Sequence, residues 1–545
     1  MSELYTRFIH ETFDQSGRLV FYTYDYGPNF NFGYDIIDPL GEECPQKLAM
    51  IWENDRGEQV RLTFREIRER SNQAANLFRS RGLKKGDVLM AALRTHWEYW
   101  ITAIAAHKLG LLLSPVYYRL PAQDLLYRME KARAKGVICC QEGETALRVR
   151  EAADQAGITL RLALGEAEGF ENFSALLPQQ PTTLDRVETG CHDPMLLYFT
   201  SGTTGDPKGV LHDHAYVLAN HCGARYMQDT TAESRHFATG DSGWEVLAGT
   251  KFYCQWMQAA TLLVYDYDRF PPEKVLAFLE REKATGVMAQ PTVYRKLIQA
   301  GMDQYDLSSV TCFAVGGEKL TDDLANAVFQ QTGQVLYEGY AQSETGLIAA
   351  ASKNMGRKEG SVGKILPKYH VELLKEDGTF AQPGEEGEIV IVADNGQRPD
   401  GLMMGYLDDP EATRRLWDGN LFHTGDSAVM DEDRFLFYRG RSDGLIKTKG
   451  YRVSPVEIEN ALSLHPAVED CLAVGEPDPE LGQKVKVYVT LAQGHTPSPQ
   501  LEEELMTFHN AACAGFKKIR ALEFVPHLAR NSNGKLIRGQ FREKN

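Results

Sequence analysis

Residues 62–116 read LTFREIRERSNQAANLFRSRGLKKGDVLMAALRTHWEYWITAIAAHKLGLLLSPV. Phe64, Ile67, Ala74, Ala75 and Phe78 recur at helical period, which predicts a helix over Leu62–Arg81 with one buried face. Gly82 stops it, and the apolar run Asp87–Leu93 is short enough for a buried strand. A second helix, Trp97–Leu109, and a second strand, Leu111–Val116, follow. Alternating strands and helices are what a parallel sheet covered by helices requires. Tyr99–Val116 is the most apolar early stretch, but His107 and Lys108 interrupt it and it is too short to span a bilayer.

The same alternation recurs from Met195 to Gly346, with strands at Thr261–Tyr265, Gly286–Ala289 and Cys312–Val315 and a helix at Pro272–Lys283. After about Gly360 the pattern changes. His370–Leu374, Gly387–Ala393 and Arg434–Tyr438 are short alternating runs between Gly, Asp and Pro turns, as in a small β-rich unit. Beyond Arg441 come a helix at Pro455–Leu464, strands at Glu469–Val474 and Lys484–Leu491, and a helix at Gln500–Ala512. The expected fold class is α/β. Stacked α/β layers and a small β-rich subdomain form a large N-terminal domain, residues 1–440, followed by a boundary at 441–444 and a small α+β domain, 445–545.

The chain has 545 residues, with 59 Lys+Arg against 75 Asp+Glu, a formal charge of −16. That balance argues against a nucleic-acid binder, which needs a basic face for phosphate contacts. It leaves room for small anions held by local basic loops. Residues 515–545 carry eight basic against two acidic side chains, which suits either an anionic ligand or a solvated terminal face. Met1–Phe13 has no apolar core of a signal peptide, so secretion is not expected. The nine cysteines are scattered without zinc spacing, which predicts buried thiols in a reduced, cytoplasmic protein.

One loop carries chemistry. Leu197–Gly209 reads LYFTSGTTGDPKG, an apolar strand running into three hydroxyl residues after Thr200, three glycines and Lys208. Glycines let backbone amides approach phosphate oxygens, hydroxyls add donors, and a lysine adds a point charge. The spacing does not fit a Walker A loop, because Gly202 and Gly205 are too close and Gly209 follows the lysine.

The run TSGTTGDPKG resembles the signature phosphate loop of the adenylate-forming superfamily of acyl-CoA synthetases, peptide adenylation domains and luciferases. Five further motifs follow in that superfamily's order. Gly316-Gly317-Glu318-Lys319-Leu320 resembles its adenine-contacting turn. Glu338-Gly339-Tyr340-Ala341-Gln342-Ser343-Glu344-Thr345-Gly346 resembles the next, in which Glu344 would hold Mg2+. His423-Thr424-Gly425-Asp426 resembles the motif whose aspartate takes the ribose hydroxyls. Arg441-Ser442-Asp443, then Lys449-Gly450-Tyr451-Arg452, resemble the hinge and the loop after it, and Asn533-Gly534-Lys535 resembles the C-terminal lysine loop.

The resemblance implies ATP, Mg2+ and CoA as cofactor and co-substrates and a small carboxylic acid as substrate. Lys535, Lys208 and Glu344 would be catalytic, with Thr200 beside Glu344 at the metal. ATP would meet Thr200, Ser201, Gly202, Thr203, Thr204, Gly205, Lys208, Gly317, Glu318, Lys319, the run Glu338–Ser343, Asp426, Arg441 and Lys535. Asp443 would be the pivot of a mobile C-terminal domain, and Lys449, Gly450, Tyr451 and Arg452 would border the CoA tunnel. Two departures stand out: Ala529 and Asn533 occupy places that hold proline and Ser or Thr in most relatives.

Asn29–Asp35 and Lys449–Arg452 look most like medium-chain and branched-chain acyl-CoA synthetases. In that branch Trp244, Gly249 and Gln290 would line the acyl pocket. Gly249 stands where relatives have a second tryptophan, which favours an acid larger than acetate, of medium-chain, branched or aromatic type. Transfer to a carrier protein, or a noncatalytic acyl-adenylate-binding module, are the alternatives. A homo-oligomer is compatible with the sequence.

Overall fold

The computed structural model describes residues 4–15, 19–200, 207–317, 320–441, 444, 446–448, 451–479, 481–511, 517–530 and 541. The helix expected over 62–81 is Phe64–Ser80, opened by a capping box in which Thr63 and Glu66 satisfy each other's backbone amides. Val88–Ala92, the helix Trp97–Lys108 and Leu112–Pro115 follow in the expected alternation.

Two large sheets are built this way. One has eight strands in the order 405–406, 208–213, 194–200, 112–115, 88–92, 136–139, 160–163 and 171–172. The other has nine, in the order 364–365, 346–350, 336–342, 312–315, 286–289, 235–238, 261–266, 48–54 and 59–63. A single apolar core takes in Leu89 and Leu113 of the first sheet, Met50 and Leu262 of the second, and the helices Phe64–Ser80 and Trp97–Lys108. Every residue of the latter helix except Trp97 is buried, as expected for a helix apolar on all sides. Lys108, at its end, is fully buried, with its ammonium on Asp38 (2.6 Å) and Asn72 (2.7 Å), and burial pushes its pKa down to about 8.

By packing, the chain divides into two compact units: Met1–Thr200, Pro207–His370 and Ala393–Arg415 form one, and Ser201–Asp206, Val371–Val392 and Leu416–Asn545 the other. The second unit holds an antiparallel sheet built on Glu386–Val392, Leu421–Met430 and Leu436–Arg441. It also holds a sheet in which Gly482–Leu491 pairs with Val468–Asp478 and, in parallel, with Ile519–Phe524. The helices Pro455–Leu462 and Pro499–Ala511 match the expected ones within two residues. The hairpin of Ile9–Phe13 and Leu19–Tyr24 is not foreseen by the sequence reading.

Eight cysteines fall among the described residues; no disulfide joins any two of them, and seven are buried. Among the described residues no helix is long and apolar enough to cross a membrane.

Candidate active site

In the first unit, Pro194–Thr200 and Lys208–Asp213 pair antiparallel with Thr200 opposite Lys208, so both ends of the Gly/Ser/Thr loop start from one place. Thr200 Oγ1 stands 3.5 Å from the Lys208 carbonyl. The short strand Gly405–Tyr406 adds to the outer edge of Lys208–Asp213, pairing Tyr406 with Val210. This places the Lys208 ammonium over the Tyr406 ring, 4.9 Å from its centroid. The Tyr406 hydroxyl donates to Glu344 Oε1 at 2.9 Å.

Glu344 sits in the turn between the strands Leu336–Gln342 and Gly346–Ala350. Its neighbours' carbonyls are held from several directions. His212 Nε2 lies 2.7 Å from the Ser343 carbonyl, and burial pushes the His212 pKa down to about 4. Lys368 Nζ and the Tyr369 hydroxyl both donate to the Thr345 carbonyl, at 3.2 and 3.0 Å. The Met403 amide donates to the carbonyl of Glu344 itself at 2.8 Å.

The strand before that turn is packed tightly. A Cβ on Gly339 would come within 2.7 Å of Met227 Sδ and 2.8 Å of Leu347 Cδ1, so any larger residue would have to displace these two side chains. Tyr340 is buried, Ala341 is exposed and Gln342 is intermediate. Glu338 is buried, and its Oε1 accepts the Leu320 amide at 2.9 Å, tying this strand to the turn after Gly317.

Two of the three acyl-pocket candidates meet that turn. Trp244 Cη2 would be 2.9 Å and Gln290 Cγ 3.9 Å from a Cβ on Gly317. Gln290 Oε1 accepts from Thr239 Oγ1 at 2.8 Å. Gly249 lies on the helix Glu245–Lys251, and a Cβ there meets nothing within 4 Å. Glu245, one turn earlier, is buried with its carboxylate on the Tyr216 hydroxyl.

In the second unit the register Asp426↔Arg441 sets these two residues opposite each other. Arg441 Nε lies 3.8 Å from Asp426 Oδ1, which also accepts from the Tyr438 hydroxyl at 3.2 Å. Glu388 pins the preceding turn, its Oε1 taking the Gly425 amide and its Oε2 lying 3.0 Å from His423 Nδ1. Tyr451 and Arg452 belong to the strand Tyr451–Val453, paired antiparallel with Ile446–Thr448. Ser201, Gly202, Thr203, Thr204, Gly205, Glu318, Lys319, Asp443, Lys449, Gly450, Lys535 and the Asn533 position lie outside the described residues.

The family described as AMP-binding enzyme matches residues 40–407, and its C-terminal domain matches residues 457–535. The chain belongs to the AMP-binding enzyme family. A family member 34% identical over 527 residues is acyl-coenzyme A synthetase ACSM4, mitochondrial, of Mus musculus, with 95% of this chain and 90% of that one covered. Acyl-coenzyme A synthetase ACSM5, mitochondrial, of Homo sapiens is 34% identical over 528 residues, with 94% and 90% covered. Among solved structures of the family fold, the anthranilate CoA ligase AuaEII in complex with anthranoyl-AMP has a TM-score of 0.84 at 26% identity, covering 95% of this chain and 97% of that one. The Brucella canis acyl-CoA synthetase has a TM-score of 0.71 at 25% identity, with 95% of each chain covered.

Within this AMP-binding enzyme the sequence reading passed over Tyr406, Met403, His212, Lys368, Tyr369 and Tyr438. Each touches a residue of a motif from a distant stretch of chain, and sequence spacing carries no sign of such a meeting. The sole local hint is Asp409-Pro410, a capped helix start, which fixes where the strand Gly405–Tyr406 must end.

Proposed function

We infer that the chain is an AMP-forming acyl-CoA synthetase, an acid–thiol ligase whose substrates are a small carboxylic acid, ATP and CoA, with Mg2+ as cofactor. A carboxylate oxygen attacks the α-phosphorus of ATP, giving acyl-AMP and pyrophosphate. The CoA thiol then attacks the acyl carbon, giving the thioester and AMP while the thiol proton leaves to solvent. The observation that carries this reading is the joint placement of Lys208, Thr200 and Glu344 around the two ends of one Gly/Ser/Thr loop.

The residues fit the groups they would hold. Glu344 and Thr200 offer only oxygen donors, as Mg2+ prefers, and one carboxylate leaves room for phosphate oxygens and water. When bound, Mg2+ neutralises charge on the phosphates. Lys208 contributes a positive charge from the same strand pair. Asp426 is buried with two acceptor oxygens, suited to the paired hydroxyls of ribose, while Arg441 offers donors to ribose or phosphate. Lys535 is the proposed bridge between carboxylate and α-phosphate during adenylation.

Residues 445–545 are proposed to move as a body about Asp443, so that Lys535 serves the first step and Lys449–Arg452 the second. Asp443→Pro should keep adenylation and cripple thioester formation; equal rates in both steps would place the pivot elsewhere.

The proposed acid is of medium-chain, branched or aromatic type, taken beside Trp244 and Gly249. Open space at Gly249 supports an acid larger than acetate. Eight described cysteines with no disulfide between any two of them, seven of them buried, support a reducing compartment, for which the cytoplasm is the proposed location; the relatives named above are mitochondrial. Incubation with ATP, CoA, Mg2+ and a panel of acids should release AMP, pyrophosphate and an acyl-CoA. Release of ADP and phosphate, or no turnover across the panel, would refute the assignment.

A further inference from the structure

Glu344 has its backbone pinned on every side. The carbonyls of Ser343, Glu344 and Thr345 are all engaged, by His212, Met403, Lys368 and Tyr369. What such pinning leaves free is the side chain, whose torsions can swing the carboxylate over several ångströms. The Tyr406 hydroxyl, 2.9 Å from Oε1, removes that freedom. Its geometry is fixed in turn, because Gly405–Tyr406 is a sheet strand, the Tyr406 amide donates to Thr413 Oγ1 at 2.8 Å, and the Leu407 amide to the Gly209 carbonyl at 2.7 Å.

The same ring serves a second partner. Lys208 and Glu344 carry opposite charges on neighbouring segments, and a direct pair between them would leave neither ready for ATP and metal. Instead the ammonium rests on the π face of Tyr406, 4.9 Å from the centroid, while the carboxylate takes the hydroxyl at the ring's edge. Each charge has a partner that a stronger one can replace: phosphate for the ring face, and a divalent cation for the remaining carboxylate oxygen.

We propose that Tyr406 is a positioning residue of the adenylation site, a spacer that aligns the Glu344 carboxylate for the divalent cation and the Lys208 ammonium for phosphate while keeping the two from pairing. The proposal rests on the reading of Glu344 as the metal ligand, and the test separates the two. It acts through Glu344 and Lys208, and itself touches neither substrate nor metal.

Mn2+ binding is read by the loss of its free electron paramagnetic resonance signal, with the enzyme saturated by α,β-methylene ATP. Tyr406→Phe keeps the ring and removes the hydroxyl; its Mn2+ affinity should fall by about three- to ten-fold, less than the loss of a direct hydrogen bond to a charged group because the hydroxyl only aligns the carboxylate. Inorganic tripolyphosphate without metal should bind Tyr406→Phe as it binds the unaltered enzyme, because the ring face under Lys208 remains. Tyr406→Leu removes that face and should weaken both. Tyr406→His, which keeps a flat ring with a donor, should retain more Mn2+ affinity than Tyr406→Phe and serves if the Phe variant does not fold.

Glu344→Gln alone should lose more Mn2+ affinity than Tyr406→Phe, and adding Tyr406→Phe to it should cost nothing further. If Glu344→Gln impairs Mn2+ binding while Tyr406→Phe does not, or if the two losses multiply, Tyr406 does not act through Glu344 and the proposal is overturned. If Glu344→Gln leaves Mn2+ binding intact, the metal-ligand reading fails and the spacer role falls with it.

Discussion

Gly317 and Trp244 are in such close approach that a methyl group on the glycine would lie 2.9 Å from the indole Cη2. Gly317 also has φ +87°, in the region an L side chain enters at a cost of roughly 1–2 kcal/mol. Gly317 therefore fixes how near the indole comes to this turn. Gly317→Ala must shift either the turn or the indole. In steady-state kinetics kcat/KM for the acid should drop by about ten-fold or more, and KM for ATP should move less. An unchanged acid kcat/KM in a folded variant would remove Trp244 from the acyl site.

The Asp426 carboxylate stands opposite Arg441 and accepts from Tyr438. Asp426→Ala should weaken AMP binding by about 10- to 100-fold, the span expected for hydrogen bonds to a charged group. Titration calorimetry with AMP and with 2′,3′-dideoxy-AMP checks the cause. The unaltered enzyme should discriminate strongly between the two and the variant hardly at all; persistent discrimination would assign the ribose to another residue.

Gly249 borders open space on the helix Glu245–Lys251. Filling that space with Gly249→Trp should move preference toward acetate and propionate and away from bulkier acids, read as relative kcat/KM across the panel. The same ranking in a folded variant would show that the position does not line the pocket.

Much of this was legible in the sequence, and the parts that were not share a physical reason. The helix Phe64–Ser80, the strands Gly286–Ala289 and Cys312–Val315 and the helix Pro272–Arg281 follow hydrophobic period and turn residues, which are local signals. Lys208, Glu344 and Asp426 can be proposed from sequence because each sits within a dense local run of motif residues. Tyr406 and Lys368 escaped notice because their partners lie 62 and 23 residues away in sequence. The strand Gly405–Tyr406 is two residues long, too short for alternation to register. The hairpin Ile9–Tyr24 was missed for a different reason: Phe13, Val20 and Phe21 are exposed, so its apolar residues do not mark an inward face.

Five buried histidines weaken the fold in acid. Burial pushes His212, His214 and His236 down to about 4, His221 to about 3, and His107 well below the ordinary value of 6.5. Their folded values lie below the unfolded one, so the unfolded chain binds more protons between about pH 6.5 and 4, and stability falls as pH falls through that window. Each contributes a slope of about 1.4 kcal/mol per pH unit there. Glu98 and Asp241, both pushed up to about 7 by burial, oppose them, since they take their protons in the folded state first. Urea unfolding should therefore lose stability steeply from pH 6.5 to 4.5, and His236→Gln should reduce the slope by about one proton. A flat profile would mean that these imidazoles find a charged, hydrated state without unfolding.

In the proposed reaction an acyl-adenylate forms before CoA is involved. Acid-dependent exchange of labelled pyrophosphate into ATP, measured with Mg2+ and without CoA, tests it most directly. Exchange should require the acid and fall by roughly 10²-fold or more in Lys535→Ala, as the loss of a charged transition-state donor implies. Thioester formation from supplied acyl-AMP should persist in that variant. Thioester synthesis by the unaltered enzyme without any such exchange, or exchange untouched by Lys535→Ala, would contradict it.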